Sequence, residues 1–290
     1  MTTRALVGLD IGTSSAKGAA FDLEGHRLAA AGVAYRYETP RAGWAEIDAH
    51  IWWDAARHIL RQMVATLERG VRIEAVGISG QAPTALLVDE AGQPLRPAIL
   101  WLDVRAEPDT APVAAATTGL EPRTGNRVHA SALGPKLAWL RRAEPSRWAR
   151  TRTVLPSQGY PVLRLTGRRV IDPSSAALCA PLYDAMAKRW SAEALARLDI
   201  PLEILPEIRP AHEIAGVVGG AAARETGLAE GTPVVVGGAD FAASALAAGV
   251  TEPGEACLML GTAGNLALPF SVPRFDTRLL NAHHVAVDRY

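Results

Sequence analysis

The string LVGLDIGTSSAKGAAFD, residues 6–22, concentrates a carboxylate, a glycine and three hydroxyls between Asp10 and Ser15. An apolar run ends on Asp10, a Gly-Thr-Ser-Ser turn follows, and a second apolar run begins at Ala16. Two strands joined this way form a hairpin with Asp10, Gly12, Thr13, Ser14 and Ser15 at its tip and Lys17 just beyond, supporting the hairpin or facing solvent. Gly12 permits close backbone approach or a positive φ. The exposed N–H groups and hydroxyls suit phosphate oxygens, and the carboxylate suits a hydrated Mg²⁺. The tip therefore reads as a nucleotide-phosphate grip, which puts phosphoryl transfer first among the chemistries. It is neither a Walker P-loop nor a dinucleotide fingerprint. The plain alternative is a hairpin turn built from ordinary turn residues.

A second strand–tip–strand pattern, EACLMLGTAGNLAL (255–268), places Gly261 and Thr262 at its turn. Two such tips, far apart in sequence, can face each other across a cleft and grip a nucleotide from both sides. Between them, TPVVVGGAD (232–240) reads as a buried strand running into the helix FAASALAAG (241–249). Asp240 stands at that junction, where the helix dipole favours the ionised carboxylate that a general base needs. Gly237 and Gly238 leave room for a substrate, and a helix N-cap is the structural alternative for Asp240.

The elements that must hold these residues follow from pattern. Residues 4–9, 16–22 and 27–35 read as strands. Asp48 is a plausible N-cap, and Ile51, Trp52, Ala55, Ile59, Met63 and Leu67 recur at helical spacing, with Gly70 closing the helix. IEAVGISG (73–80), TALLVD (84–89) and AILWLD (98–103) read as further strands, the region 104–230 as mostly helical. The order is α/β. Trp101 and Trp139 are expected to be packing residues, and the adjacent His283 and His284 do not share a face for metal binding. The basic cluster Arg141, Arg142, Arg147, Arg150 and Arg152 reads as a solvated helix face.

With 290 residues and 49% hydrophobic content the chain can bury a large core, and its formal net charge of +0 gives no pull toward nucleic acid or membrane. Cys179 and Cys257 form no CxxC and read as buried hydrophobes, which fits a cytoplasmic setting. No signal peptide or membrane span is expected.

Collinear blocks along nearly the whole chain resemble the FGGY carbohydrate kinases: DIGTSSAK (10–17), AGWAEIDAHIWWDA (42–55), GISGQ (77–81), PLRPAILWLDVRA (94–106), GPKLAWLRRAEP (134–145), YPVLRLTGRRVIDPSSA (160–176), GLAEGTPVVVGGAD (227–240) and LGTAG (260–264). The resemblance implies an actin-like ATPase (ribonuclease H-like) domain over residues 1–248. It makes residues 249–290 the incomplete start of a second domain of the same type. It implies ATP and Mg²⁺ as cofactors and a small sugar or polyol as acceptor. By it, Asp10 would hold the metal through water, Gly12, Thr13, Ser14, Gly261 and Thr262 would contact phosphates, Gln81, Asp103 and Arg105 would lie at the sugar pocket, and Asp240 would be the catalytic base and touch the substrate. For Asp103 and Arg105 the structural alternative is a surface ion pair.

The pattern departs in two places. Xylulokinase-like members carry Gln-Met-His-Gly after the GISG strand, whereas this chain has Gln81, Ala82, Pro83 and Thr84. Trp101-Leu102-Asp103 replaces the family's Trp-Asn-Asp, so an altered ketose or polyol is expected. The second domain also stops early by comparison, which leaves room for a homodimer or a separate C-terminal-domain partner. The competing function is a non-catalytic sugar- or partner-binding fragment.

Overall fold

The computed structural model describes residues 3–260, 264–276 and 278–290. Its centre is a seven-stranded mixed sheet. β1 (Thr3–Ile11), β2 (Ser15–Asp22) and β3 (Arg27–Ala34) form an antiparallel meander. In β1 the side chains alternate as the pleat demands. Ala5, Val7, Leu9 and Ile11 are buried, while Leu6 on the opposite face is 45% exposed.

The buried face meets α1 (Ala49–Thr66). Asp48 caps this helix by accepting from His50 N at 2.9 Å, and Trp52, Ala55, Ala56, Ile59, Leu60 and Met63 form its buried stripe. The helix ends earlier than its spacing predicts. Leu67 turns extended and donates its N–H to Met63 O, so the closing role expected of Gly70 falls to Leu67. Gly70 instead takes φ +93° in the turn that starts the next strand.

That strand, β4 (Val71–Gly80), runs parallel to β1. The middle of the chain adds α2 (Leu133–Ala143), α3 (Gly159–Thr166) and the single-turn α4 (Pro173–Ala177). β5 (Ile214–Val217), α5 (Gly220–Thr226), β6 (Pro233–Val235), β7 (Gly238–Ala239) and α6 (Asp240–Ala247) follow. The sheet order is β5-β6-β4-β1-β2-β3, with β7 also paired to β4. A second apolar core, centred on Leu137, Trp139, Leu182 and Tyr183, underlies the helical middle. A separate hairpin, β8 (Cys257–Leu260) and β9 (Gly264–Ala267), lies outside the large sheet.

The single strand expected over 232–240 is divided. Val234 pairs with Val76 and Gly238 with Ser79, so the β6–β7 side carries one residue more than β4. Gly237 absorbs it at φ +80°, and a Cβ there would lie 1.9 Å from Ile78 O. Only glycine tolerates both conditions. The strand expected over 98–103 is likewise short: Ala98–Ile99 alone pair as strand, and the residues beyond turn back. Gly237→Ala is expected to lower the unfolding free energy by about 2 kcal/mol or more, read from urea denaturation.

Candidate functional site

Three parallel strands end at one level. Asp10 of β1 and Gly238 of β7 both pair with Ser79 of β4, one from each side. At one strand spacing each, the two chains stand roughly 10 Å apart across Ser79. Asp10 lies on the sheet face opposite the core stripe, and Asp240 opens α6 two residues beyond Gly238.

Ser79 Oγ donates to Asp10 Oδ1 at 2.9 Å, which leaves Oδ2 without that partner. Burial raises the Asp10 carboxyl above its ordinary range, against the Ser79 hydrogen bond and the Lys17 charge. Asp240 is pushed up to about 6, first by burial and further by the Asp10 charge, while the N–H of Phe241 donates to its Oδ1 at 2.7 Å and opposes the rise. The expected benefit of the helix dipole is thus outweighed. A terminus contributes about 0.3–1 kcal/mol, whereas the rise from 3.8 to about 6 corresponds to roughly 3 kcal/mol. Asp240 is also the first residue of its helix, with Ala239 at the N-cap position, so the capping alternative does not hold.

The tip between β1 and β2 is closed by Gly12 N donating to Ser15 O at 3.0 Å. Gly12 serves close approach rather than positive φ: a Cβ there would meet Ser15 O at 2.9 Å. Tyr35 fixes the tip from β3's end, its hydroxyl donating to Gly12 O at 2.7 Å and its N–H to Ser14 O at 2.9 Å. Gln81 is almost fully buried beneath the tip; its Nε2 donates to Gly12 O at 3.0 Å and its Oε1 accepts from Thr13 Oγ1 at 3.2 Å. Trp101 overturns the packing expectation. The residue is 41% exposed, and its Nε1 donates to Thr13 Oγ1 at 3.0 Å. Ser14 is exposed and Lys17 faces solvent.

Asp103 and Arg105 are not the surface pair that a strand end would give. Both side chains are fully enclosed. Arg105 Nη2 donates to Asp103 Oδ2 at 2.7 Å and Nη1 to Glu46 Oε1 at 2.5 Å, and its guanidinium stacks 3.7 Å from the Trp44 ring centre. Asp103 also accepts from Ala45 N. This cluster anchors the turn that carries Trp101. Lys136 of α2 ties the same turn to the 81–84 segment, donating to Leu100 O at 2.7 Å and Pro83 O at 3.3 Å; its full burial pushes its pKa down to about 7. Trp139 is buried as expected.

Gly261 and Thr262 of the second tip lie outside the described residues, although β8 and β9 on either side are present. Among the described residues, no group of three or more His, Cys, Asp or Glu side chains converges as a metal cage. None of the described helices is long and apolar enough to cross a membrane. The site residues to which the sequence expectations gave no role are Ser79, Tyr35 and Lys136, while Trp101 was expected only to pack. Ser79 was reachable by alternation along GISG, whereas Tyr35 and Lys136 carry no local pattern.

A family model described as the FGGY family of carbohydrate kinases, N-terminal domain, matches residues 5–247. The chain belongs to that family. It is 33% identical over 259 residues to a xylulose kinase of Escherichia coli (strain K12), covering 89% of this chain and 53% of the relative. A xylulose kinase of Staphylococcus xylosus is 30% identical over 261 residues, covering 89% and 54%. The crystal structure of xylulose kinase from Rhodospirillum rubrum superposes with a TM-score of 0.95 at 35% identity, over 99% of this chain and 59% of that one. The FGGY chain therefore has the actin-like ATPase fold in its N-terminal domain, and it spans about half the length of the curated relatives it matches.

Two outcomes follow from the burial of these charges. Asp240→Asn is expected to stabilise the fold by roughly 1–3 kcal/mol at pH 7, because the carboxylate that it removes is held away from water. The gain is fully present above pH 6 and is lost as the pH falls to below 3.8, where the aspartate is protonated in both states; thermal melts across pH measure it. Asp103→Ala is expected to cost about 3 kcal/mol, since it strips a partner from an enclosed guanidinium, and denaturant titration reads that loss.

Proposed function

We propose that this FGGY chain carries the acceptor-binding and proton-accepting half of an ATP-dependent kinase for a small ketose or polyol. The observation that supports this most is the placing of Asp10 and Asp240 on either side of Ser79, with the Gly12–Ser14 tip beside them. Phosphoryl transfer needs alignment and charge neutralisation more than a strong base. Asp240, held near pH 6 and at the mouth of α6, accepts the proton of the attacking hydroxyl. The backbone N–H groups and hydroxyls of Gly12, Thr13 and Ser14 take phosphate oxygens, with Gly261 and Thr262 assigned the same task.

A half-buried carboxylate with one oxygen not engaged by Ser79, whose charge reaches a second carboxylate at the same end of the sheet, fits Mg²⁺, which takes one or two carboxylates and completes its shell with water and phosphate oxygens. Asp10 would hold it, and the ion would neutralise charge on the phosphates. Gln81 sets the tip from below. Asp103 and Arg105 support the pocket from behind, through the turn that presents Trp101. The acceptor is assigned to the pentulose class because the relatives' names specify xylulose. The Gln81-Ala82-Pro83-Thr84 segment, without the Met-His pair, points to a ketose or polyol with different polar needs at that wall. In this reading residues 1–248 form the first domain and 249–290 open the second.

A second reading draws on the β8–β9 hairpin, which exposes Leu258, Leu260, Leu266 and Leu268. Such a surface favours a further wall packed there, so that the 290 residues alone bind sugar without turnover.

The test is ADP release from Mg-ATP over a panel of pentuloses, hexuloses and polyols, with calorimetry for sugar binding. Turnover is expected with at least one acceptor, to fall roughly 10²–10⁴-fold in Asp240→Asn, and to decline as the pH drops through about 6, where Asp240 takes up its proton. Undiminished turnover in Asp240→Asn would remove the base assignment. Sugar binding without turnover would select the second reading.

A further inference from the structure

The single-turn helix α4 joins the two halves of the site. Asp172 is its N-cap and is fully buried. Its Oδ2 accepts from Ser174 N at 2.7 Å and from the Ser174 hydroxyl, and its Oδ1 accepts from Ser175 N at 3.3 Å. With its proton committed to Asp172, Ser174 Oγ offers a lone pair outward, and the N–H of Ala239 donates to it at 3.0 Å. Ala239 is the residue immediately before Asp240 and is itself fully buried.

The neighbouring hydroxyl reaches the other way. Gln158 Nε2 donates to Ser175 Oγ at 2.7 Å, and Ser157 Oγ donates to Gln81 O at 2.8 Å. Gln81 in turn holds Gly12 and Thr13. Gly80 lets this happen, since a Cβ there would stand 2.4 Å from Ser157 Oγ. Serines 157, 174 and 175 are all buried, as are Gln81, Gln158 and Asp172. A cap alone would need only the backbone N–H bonds to Asp172. The outward bond from Ser174 to the residue before Asp240 is additional.

We propose that Ser174 is a positioning residue: oriented by Asp172, its hydroxyl fixes the backbone at Ala239 and thereby sets where Asp240 stands relative to the Gly12–Ser14 tip. A buried hydroxyl whose donor and acceptor are both committed holds its neighbours in one geometry. Reaction rates depend steeply on such placement. The kinetic consequence rests on Asp240 being the base, whereas the structural consequence rests on the hydrogen bonds alone.

Two measurements on Ser174→Ala and Ser174→Thr separate these. Amide exchange of Ala239 is expected to rise at least roughly tenfold in Ser174→Ala, as for loss of one buried hydrogen bond, while Leu9 and Val76 in the same sheet keep their rates. With an acceptor that the parent chain turns over, kcat is expected to fall at least roughly tenfold with KM for ATP held within about twofold. Ser174→Thr, which retains the hydroxyl, restores both. Unchanged Ala239 exchange in Ser174→Ala overturns the proposal whatever the enzyme does. Raised exchange with undiminished kcat also overturns it, and leaves the base assignment to the Asp240→Asn result. If the parent shows no turnover, the exchange arm alone decides. If Ser174→Ala does not fold, Asp172→Asn is read by the same two measurements.

Discussion

The site depends on one backbone constraint: β1 and β7 pair in parallel with opposite sides of the same end of β4. Asp10 and Gly238 therefore stand level with Ser79, and Asp240 must emerge at the same end of the sheet as Asp10. Everything electrostatic follows from that. Two half-buried carboxylates each lose hydration, and the Asp10 charge adds to the rise at Asp240. Asp240 is pushed up to about 6 against the backbone N–H groups of Phe241 and of Asp240 itself, while the rise at Asp10 is opposed by the Ser79 hydroxyl and the Lys17 charge. The fold thereby raises both acids above the ordinary aspartate range and holds Asp240 at about 6, poised to exchange a proton.

Around this pair, rigidity comes from buried polar groups rather than from apolar packing alone. Thr13 is held by Gln81 below and Trp101 beside it, so its hydroxyl has a defined orientation. Trp101 keeps its place because the turn beneath it is locked by Arg105, Asp103, Glu46 and the Trp44 ring. Enclosed charges of this kind add little net stability, but removing one partner is costly, so the arrangement resists relaxation. The exposed face of β1 and the leucines of β8 and β9 contrast with that order. There apolar side chains stay exposed.

The parts legible in the sequence were those governed by local periodicity and turn chemistry. The meander β1–β3, the cap at Asp48 and the junction at Asp240 follow from alternation, spacing and capping residues. The departures arise where tertiary contacts decide. Gly237 looked like open space for a substrate, but it is required by the extra residue between β6 and β7. Gly70 looked like a helix stop, but Leu67 had already left the helix. Asp103 and Arg105 were assigned to the sugar pocket by resemblance, with a surface ion pair as the alternative, and nothing local reports that Trp44 and Glu46 enclose them. Asp240 looked favoured in its charged form by the helix terminus; the opposing effects, burial and Asp10, come from distant sequence. Tyr35 was equally hidden, since its role depends on where β3 ends relative to the tip.

The most direct measurement of the coupled carboxylates is carboxyl-carbon NMR titration of Asp240 in the parent chain and in Asp10→Asn. The account predicts a midpoint near 6 in the parent, raised mainly by burial, and a partial fall when the Asp10 charge is removed. A parent midpoint near 3.8, or one that does not move in Asp10→Asn, would show that the two acids do not share an environment and would contradict the site described.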